Sequence, residues 1–188
     1  MTMSKSIATT WGSTFVERAM PFPCDRYLPN AEGAYFRAVD VQAPAHIIFQ
    51  WLCQLRVAPY SYDWIDNAGR QSPRHLIPEL QNLEVGQRVM KIFKLVEFET
   101  DRHLTLVMAS PSAIATFGEI AISYLILPLT GQYCRLIAKF LVRYPSKEPW
   151  STMRWFLPWG DLLMMRKQLL TLKYLAEKQA LRWQRVPR

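Results

Sequence analysis

Residues 132–144, with the sequence QYCRLIAKFLVRY, constrain the fold more than any other stretch of the chain. Every second residue is apolar or aromatic, and these positions are Cys134, Leu136, Ala138, Phe140, Val142 and Tyr144. The residues between them include Arg135, Lys139 and Arg143. Side chains of a β-strand alternate between its two faces, so this pattern predicts a strand with one buried face and one solvated face.

Strand patterns separated by turn residues also precede this stretch. We predict further strands at about 34–42, 88–99, 103–109 and 114–127. The sequences TDR at 100–102, SPS at 110–112 and TG at 130–131 are typical of turns. Short connections join antiparallel neighbours, whereas parallel strands need a long crossover. The strands from residue 88 onward are therefore predicted to form an antiparallel meander.

Two amphipathic helices are predicted around these strands. The first begins near Pro44, and its apolar stripe consists of Ile47, Ile48, Trp51, Leu52 and Leu55. The second follows Asp161, which we predict to be its N-cap. Its stripe runs along about four turns and consists of Leu162, Met165, Leu169, Leu172 and Leu175. Such a stripe predicts that the last helix packs on the sheet.

An aromatic segment precedes the last predicted helix. Pro149 and Pro158 are expected to keep this segment from forming one regular helix. Trp150, Trp155 and Trp159 lie on it, and two interpretations are open. The tryptophans form a movable lid over a pocket, or they cover the end of the core.

Several stretches of the chain resemble uncharacterised bacterial members of one superfamily. They are VQAPAHIIFQWLCQL after the first strand, YSYDWIDN from residue 60, LEVGQ at 83–87, and DLLMMRKQLLTLKYLAE in the last helix. Together with the order of elements, they are similar to the SRPBCC superfamily, which includes START, birch-pollen-allergen and polyketide cyclase-like proteins. The resemblance covers about residues 34–180. It implies an α+β helix-grip fold, in which a curved antiparallel sheet wraps around a long C-terminal helix and encloses an internal cavity.

The chain reads as one helix-grip domain with two short additions. Residues 1–33 are predicted to be an irregular N-terminal arm, residues 34–182 the domain, and residues 183–188 a basic tail. No apolar run reaches the length of a membrane-spanning helix, and no secretory signal is recognisable, so we expect a cytoplasmic protein.

Composition and motifs exclude several classes of function. The three cysteines are Cys24, Cys53 and Cys134, and their spacing disfavours both a disulfide framework and a zinc site. No glycine-rich phosphate loop occurs, so no cofactor is predicted. His46, His75 and His103 accompany no nucleophile motif and are expected at the surface or in turns. The formal charge of +8 favours anionic partners.

The leading hypothesis is that the cavity binds a small hydrophobic or amphipathic molecule without catalysis. No catalytic residue and no metal ligand is assigned. The predicted lining residues lie on both helices, on the strands and in the aromatic stretches. They are Trp51, Tyr62, Trp64, Phe93, Leu106, Tyr124, Leu136, Phe140, Trp159, Met165 and Leu169.

Residues 60–70, with the sequence YSYDWIDNAGR, allow a functional and a structural interpretation. In the functional one, Tyr60, Tyr62 and Trp64 stand at the pocket entrance while an aspartate orients a polar ligand group. In the structural one, which we favour, the stretch is a packed loop with an Asx turn at Asp66 and Asn67.

Two other functions remain open. The first is a cyclase- or aromatase-like enzyme in which Asp63, Tyr62 or Arg135 handles protons. The second is a basic peripheral module whose tail, with Arg182, Trp183, Arg185 and Arg188, contacts an anionic membrane or RNA. No RNA-recognition motif occurs, so nucleic acid is the less favoured partner. The sequence does not determine the oligomeric state.

Overall fold

The protein is built around one six-stranded antiparallel sheet. The computed structural model describes residues 6–66, 69–146 and 152–184. The strands are β1 (Gly33–Val41), β2 (Arg88–Val89), β3 (Phe93–Glu99), β4 (His103–Met108), β5 (Glu119–Thr130) and β6 (Tyr133–Arg143). Their spatial order is β1-β6-β5-β4-β3-β2, and all neighbours are antiparallel. The predicted meander is confirmed.

The described residues form six α-helices beside the sheet. They are α1 (Ile7–Thr10), α2 (Phe15–Ala19), α3 (Ala45–Cys53), α4 (Asp63–Asp66), α5 (Pro111–Phe117) and α6 (Met153–Gln184). Single 3₁₀ turns occur at Pro23–Arg26, Gln54–Arg56 and Pro78–Gln81. None of the helices in the described ranges is both long and apolar enough to cross a lipid bilayer.

The inner face of the sheet, defined as the face toward α6, carries the main core. Leu136 and Phe140 of β6 are buried there together with the inward residues of the other strands. The predicted stripes of α3 and α6 are buried in the same cluster or beside it, as their periodicity indicates. Burying a side chain such as leucine contributes about 1.5–3 kcal/mol. The contact between α6 and the sheet is therefore a principal source of stability.

The outer face, on the opposite side of the sheet, was predicted to be solvated, but it is covered. The N-terminal arm crosses it and forms a second apolar cluster that includes Phe22 and Cys24 of the arm and Ile137 of β6. Two of the three charged residues of β6 form ion pairs with the arm, Arg135 with Glu17 and Lys139 with Asp25. The alternating pattern was correct, but these two charges face the arm rather than water.

Two predicted strand boundaries were wrong. The strand predicted at 114–127 begins only at Glu119, because residues 111–117 form α5, with Pro111 in its first turn, where the missing N–H costs nothing. Gly118 ends α5 with a φ of 90°, and a Cβ there would lie 2.1 Å from the Arg143 carbonyl oxygen. The predicted strand at 88–99 is divided into β2 and β3, because Met90 and Lys91 have positive φ values.

The start of the last helix was also predicted incorrectly. α6 begins at Met153, and Pro158 lies inside it. Since Pro158 is within two turns of the start, its missing N–H removes only one hydrogen bond of the helix. Asp161 is consequently not an N-cap but a buried residue of the third turn. Trp155 and Trp159 lie on a helix, while Trp150 and Pro149 are outside the described residues.

Candidate functional site

Most of the predicted lining residues meet between the inner face and α6. Those that are buried there are Trp51, Phe93, Leu106, Tyr124, Leu136, Phe140, Met165 and Leu169. Tyr62 is half-buried. Trp64 and Trp159 differ, because their side chains are 75% and 54% exposed. Contact between a bound molecule and these two tryptophans stays a prediction.

Gln168 of α6 places polar groups in the middle of this apolar region. It accepts a hydrogen bond from the Tyr124 hydroxyl, at 2.6 Å, and donates one to the Pro59 carbonyl, at 2.7 Å. Its amide nitrogen also lies 3.6 Å from the Met90 sulfur. Burial raises the pKa of Tyr124, so this phenol keeps its proton and acts as the donor. Gln168 thus joins the sheet, α6 and the segment before α4.

Tyr60 brings a second phenol into the same region. The side chain is buried, and the oxygen has no hydrogen-bond partner within the described residues. Its ring meets the Trp51 ring edge-on, with centroids 6.1 Å apart. The Trp51 indole N–H donates to Gln179 of α6 at 2.8 Å. Tyr60 has a φ of 56°, which is uncommon for a residue with a side chain.

A buried ion pair lies near the first half of α6. Arg37 of β1 bonds the Asp161 carboxylate at 2.6 Å, and both side chains are almost completely inaccessible. Arg37 also donates to the Ala8 and Phe36 carbonyls at 2.6 and 2.9 Å, so it connects the arm, β1 and α6. Burial raises the pKa of Asp161 to about 6, although the Arg37 charge opposes this effect.

The structural interpretation of residues 60–70 is supported by their contacts. The Asp63 carboxylate accepts hydrogen bonds from the Ser72 amide, at 2.9 Å, and from the Ser72 hydroxyl. The Asp63 carbonyl accepts from the Gly69 amide at 2.9 Å. Asp63 therefore closes the loop. The Asx turn predicted at Asn67 lies outside the described residues.

The residues named for the enzyme alternative do not form one site. Arg135 lies on the outer face, where it bonds Glu17 at 2.7 Å and Asp40 at 3.1 Å. Tyr62 and Asp63 belong to the loop before and within α4, and Asp63 is engaged with Ser72. A proton-transfer role for Arg135 inside the predicted cavity is therefore wrong.

Two concavities are present at the surface. One, of about 330 Å³, lies between β1, α5 and the end of β6, and the other, of about 150 Å³, lies beside β2, β3 and α5. Neither is lined by a residue of α6. The predicted internal cavity is thus not one of these depressions, and it stays a prediction.

The other candidate residues have ordinary environments. Cys24, Cys53 and Cys134 are buried free thiols, and burial raises their pKa values, which makes them unreactive. His46 is exposed and stacks on Trp183. Within the described ranges, no three His, Cys, Asp or Glu residues are grouped so that they could bind a metal ion. Arg185 and Arg188 of the tail lie outside those ranges.

Part of this site carried a signal in the sequence and part did not. Arg37 is a single charge among the apolar positions Tyr35, Val39 and Val41 of its strand, which indicates a buried partner. Gln168 interrupts the apolar stripe beside Leu169 in the same way. Nothing in the sequence distinguishes Tyr60 from the other aromatic residues of its loop.

Comparison with known proteins identifies similar folds. No protein-family model matches the chain, and no curated protein gives a significant match. A solution structure from Thermobifida fusca has a TM-score of 0.50 at 15% identity, over 77% of this chain and 93% of that one. The chain has an α+β helix-grip fold. The fold expected from the sequence is therefore confirmed.

Two more distant structures have named functions. The di-domain ARO/CYC protein BexL of the BE-7585A biosynthetic pathway has a TM-score of 0.49 at 12% identity, over 77% of this chain and 46% of BexL. Norcoclaurine synthase of Thalictrum flavum, in complex with dopamine and hydroxybenzaldehyde, has a TM-score of 0.41 at 11% identity, over 82% and 88% of the two chains. At these values neither structure assigns a function to this chain.

Proposed function

We propose that the protein binds a small amphipathic molecule between the inner face of the sheet and α6. The observation that carries this proposal is the Tyr60 hydroxyl, which is buried and lacks a hydrogen-bond partner among the described residues. A buried polar group without a partner costs about 1–3 kcal/mol. A ligand that supplies an acceptor oxygen removes this cost, so the site favours an apolar molecule with one such group.

The surroundings of Tyr60 suit a ligand of this kind. Small-molecule sites are mostly apolar, with a few polar groups that fix the orientation of the ligand. Here the apolar part comes from residues such as Trp51 and Leu169, and the polar part from the Tyr60 hydroxyl and the Tyr124–Gln168 pair.

Three methionine side chains beside this region could repack around a ligand. The sulfur of Met164 lies 3.5 Å from the Ser61 hydroxyl, that of Met165 3.8 Å from the Tyr124 hydroxyl, and that of Met90 3.6 Å from the Gln168 amide. Methionine is flexible and tolerates repacking around different shapes. An empty cavity is costly, at about 24 cal/mol per Å³, so we expect these side chains to move aside as the ligand enters.

Tyr60→Phe tests the proposal because it removes the hydroxyl and keeps the ring. Ligands are first identified by native mass spectrometry of the purified protein, and by titration with fluorescent fatty acids. The variant is expected to bind about 2- to 13-fold more weakly, which corresponds to the loss of one hydrogen bond of ~0.5–1.5 kcal/mol. Its stability without ligand should be equal or higher, since the unpaired group is gone.

Tyr124→Phe is the matched control. Its hydroxyl already bonds Gln168, so its removal should lower the free energy of unfolding by about 1 kcal/mol. If Tyr60→Phe instead loses stability without ligand, and binds every probe as well as the unmodified protein, the hydroxyl has a structural partner and the proposal fails.

A second candidate function is catalysis in the same interior, as in a cyclase- or aromatase-like enzyme. The observation in its favour is Asp161, a buried carboxyl whose pKa is raised by burial to about 6, within the range useful for general acid–base catalysis. Turnover of a polyketide-like substrate that is lost in Asp161→Asn, with an unchanged circular dichroism spectrum, would favour this function. Turnover that survives the substitution would remove Asp161 from it.

A further inference from the structure

The first half of α6 exposes an unusual set of large apolar side chains. Trp155 is 73% exposed, Phe156 68%, Trp159 54% and Leu163 60%. Single exposed apolar residues are common on proteins, but several large ones together mark an interaction surface.

These residues share one side of the helix. Trp155, Trp159 and Leu163 are spaced by four residues, so they form a continuous stripe along two turns, and Phe156 lies beside it. Arg166 follows Leu163 by three residues and extends the same stripe. We call Trp155, Phe156, Trp159, Leu163, Arg166 and Lys167 the docking face.

The docking face is basic and has no exposed acid. Between residues 153 and 168 the sequence contains one acidic residue, Asp161, and it is buried in the ion pair with Arg37. Arg166 and Lys167 are exposed. The second half of α6 differs, because Glu177 lies there and pairs with Lys173.

We propose that the docking face binds the surface of an anionic lipid membrane. Tryptophan and phenylalanine are favoured at the boundary between headgroups and acyl chains, where their rings enter the apolar layer. Arginine and lysine beside them attract anionic headgroups. In this arrangement α6 lies parallel to the membrane surface, because the opposite side of the helix is packed in the core of the protein.

Charge selects this partner over a second copy of the chain. Two docking faces brought together would bury Arg166 and Lys167 of both copies with no acidic residue on either face to pair with them, in proteins that each carry a formal charge of +8. Like charges in a desolvated interface cost several kcal/mol. An anionic lipid surface offers both the apolar layer for the tryptophans and the opposite charge. This inference does not depend on ligand binding inside the protein.

Vesicle sedimentation tests the inference. The full chain is mixed with vesicles of phosphatidylcholine, with or without phosphatidylglycerol, and the bound fraction and the tryptophan emission are measured. We expect binding only when phosphatidylglycerol is present, weaker binding at high salt, and a blue shift of the emission. Trp155→Ser/Trp159→Ser is expected to bind at least roughly tenfold more weakly, because two buried aromatic side chains are lost.

Two further variants identify what drives the binding. Lys167→Glu should weaken binding and reduce its salt dependence. Tyr133→Ser removes an exposed aromatic residue at the start of β6, outside the docking face, and should leave the binding unchanged. Thermal melting verifies that each surface variant remains folded.

Several results would overturn the inference. The first is that the protein does not bind phosphatidylglycerol vesicles at all. The second is that Trp155→Ser/Trp159→Ser binds them as well as the unmodified protein, which would show that other basic residues, such as those of the tail, cause the binding. A dimer in light scattering that the double variant abolishes, without vesicle binding, would show that the face pairs with a second copy.

Discussion

The two faces of one sheet are covered in different ways. On the inner face, α3 and α6 bury a large apolar cluster that contains only a few polar groups. On the outer face, the N-terminal arm buries a smaller cluster with charged residues beside it. Lys139 exemplifies the outer arrangement, because its amine bonds Asp25 at 2.5 Å and lies over the rings of Phe22 and Phe36.

The two faces differ in their polar contacts. On the outer face Arg135 and Lys139 of β6 form ion pairs with the arm, whereas Arg143 pairs with Glu119 of β5. On the inner side the Tyr60 hydroxyl and the Arg37 Nε have no hydrogen-bond partner within the described residues, and the Arg18 Nε of the arm has none there either. The ion pairs of the outer face suit stability, whereas the unpaired hydroxyl beside the inner apolar cluster suits ligand binding, and this contrast can be tested.

The largest expected loss of stability follows the replacement of either of two leucines of β6, which point to opposite faces of the sheet. Leu136 belongs to the inner cluster and Leu141 to the outer one, and both are buried. Replacing either with alanine should lower the free energy of unfolding by about 2–5 kcal/mol, with the larger loss at the fully inaccessible Leu136. Urea denaturation measures both. A loss below ~1 kcal/mol in Leu141→Ala would mean that the arm adds little packing, and it would contradict the view that both faces of the sheet are covered by packed apolar clusters.

The next largest expected effect is a dependence of folding stability on pH that arises from Asp161. The folded-state pKa of Asp161 is about 6, above its usual 3.8, so between these pH values the folded protein binds more protons than the unfolded chain. The stability that Asp161 contributes is therefore present at low pH and lost as the pH rises through about 6. The change is at most about 3 kcal/mol. Asp161→Asn should flatten this part of the curve of stability against pH, and an unaltered curve would contradict the assignment.

Glu17 on the outer face is expected to make stability depend on pH in the opposite direction, by a smaller amount. Burial alone would raise the pKa of Glu17, but hydrogen bonds from Arg135 and the Thr14 amide outweigh it and lower the pKa. Glu17 thus stabilises the fold above its usual pKa, and this contribution is lost as the pH falls.

Glu17→Gln measures this contribution. We expect a loss of about 1 kcal/mol at neutral pH, since the residue closes a capping box with Thr14 and pairs with Arg135. The difference from the unmodified protein should shrink in acid. A difference that persists at low pH would show that the charge of Glu17 is not what matters.

The sequence was sufficient for the faces of β6, α3 and α6 and for the order of the main strands. Alternation in β6 and the stripe of α6 depend only on side-chain periodicity, which the backbone geometry imposes locally. The strand meander followed from short turns that allow only antiparallel neighbours. The burial of most residues predicted to line the cavity followed from the same periodicity, whereas their contact with a ligand stays a prediction.

The errors arose where a local signal was overridden by its surroundings. Pro158 is an unfavourable helix residue, yet it lies so near the start of α6 that its missing N–H removes only one hydrogen bond of the helix. Asp161 is a favourable N-cap, yet the cation of Arg37 draws it into the interior. Trp64 and Trp159 were predicted at the entrance and rim of the pocket, and both are largely exposed, so their contact with a ligand stays a prediction.

The sequence by itself determined a meander of strands and a long amphipathic helix that must cover one of its faces, because periodicity and turn chemistry act between near neighbours. Only the tertiary structure decided that the arm covers the other face, that Arg37 pairs with Asp161, and that the Tyr60 hydroxyl has no hydrogen-bond partner within the described residues. These features depend on residues far apart in the chain, and they form only when burial removes water and forces each polar group to find a partner or remain without one.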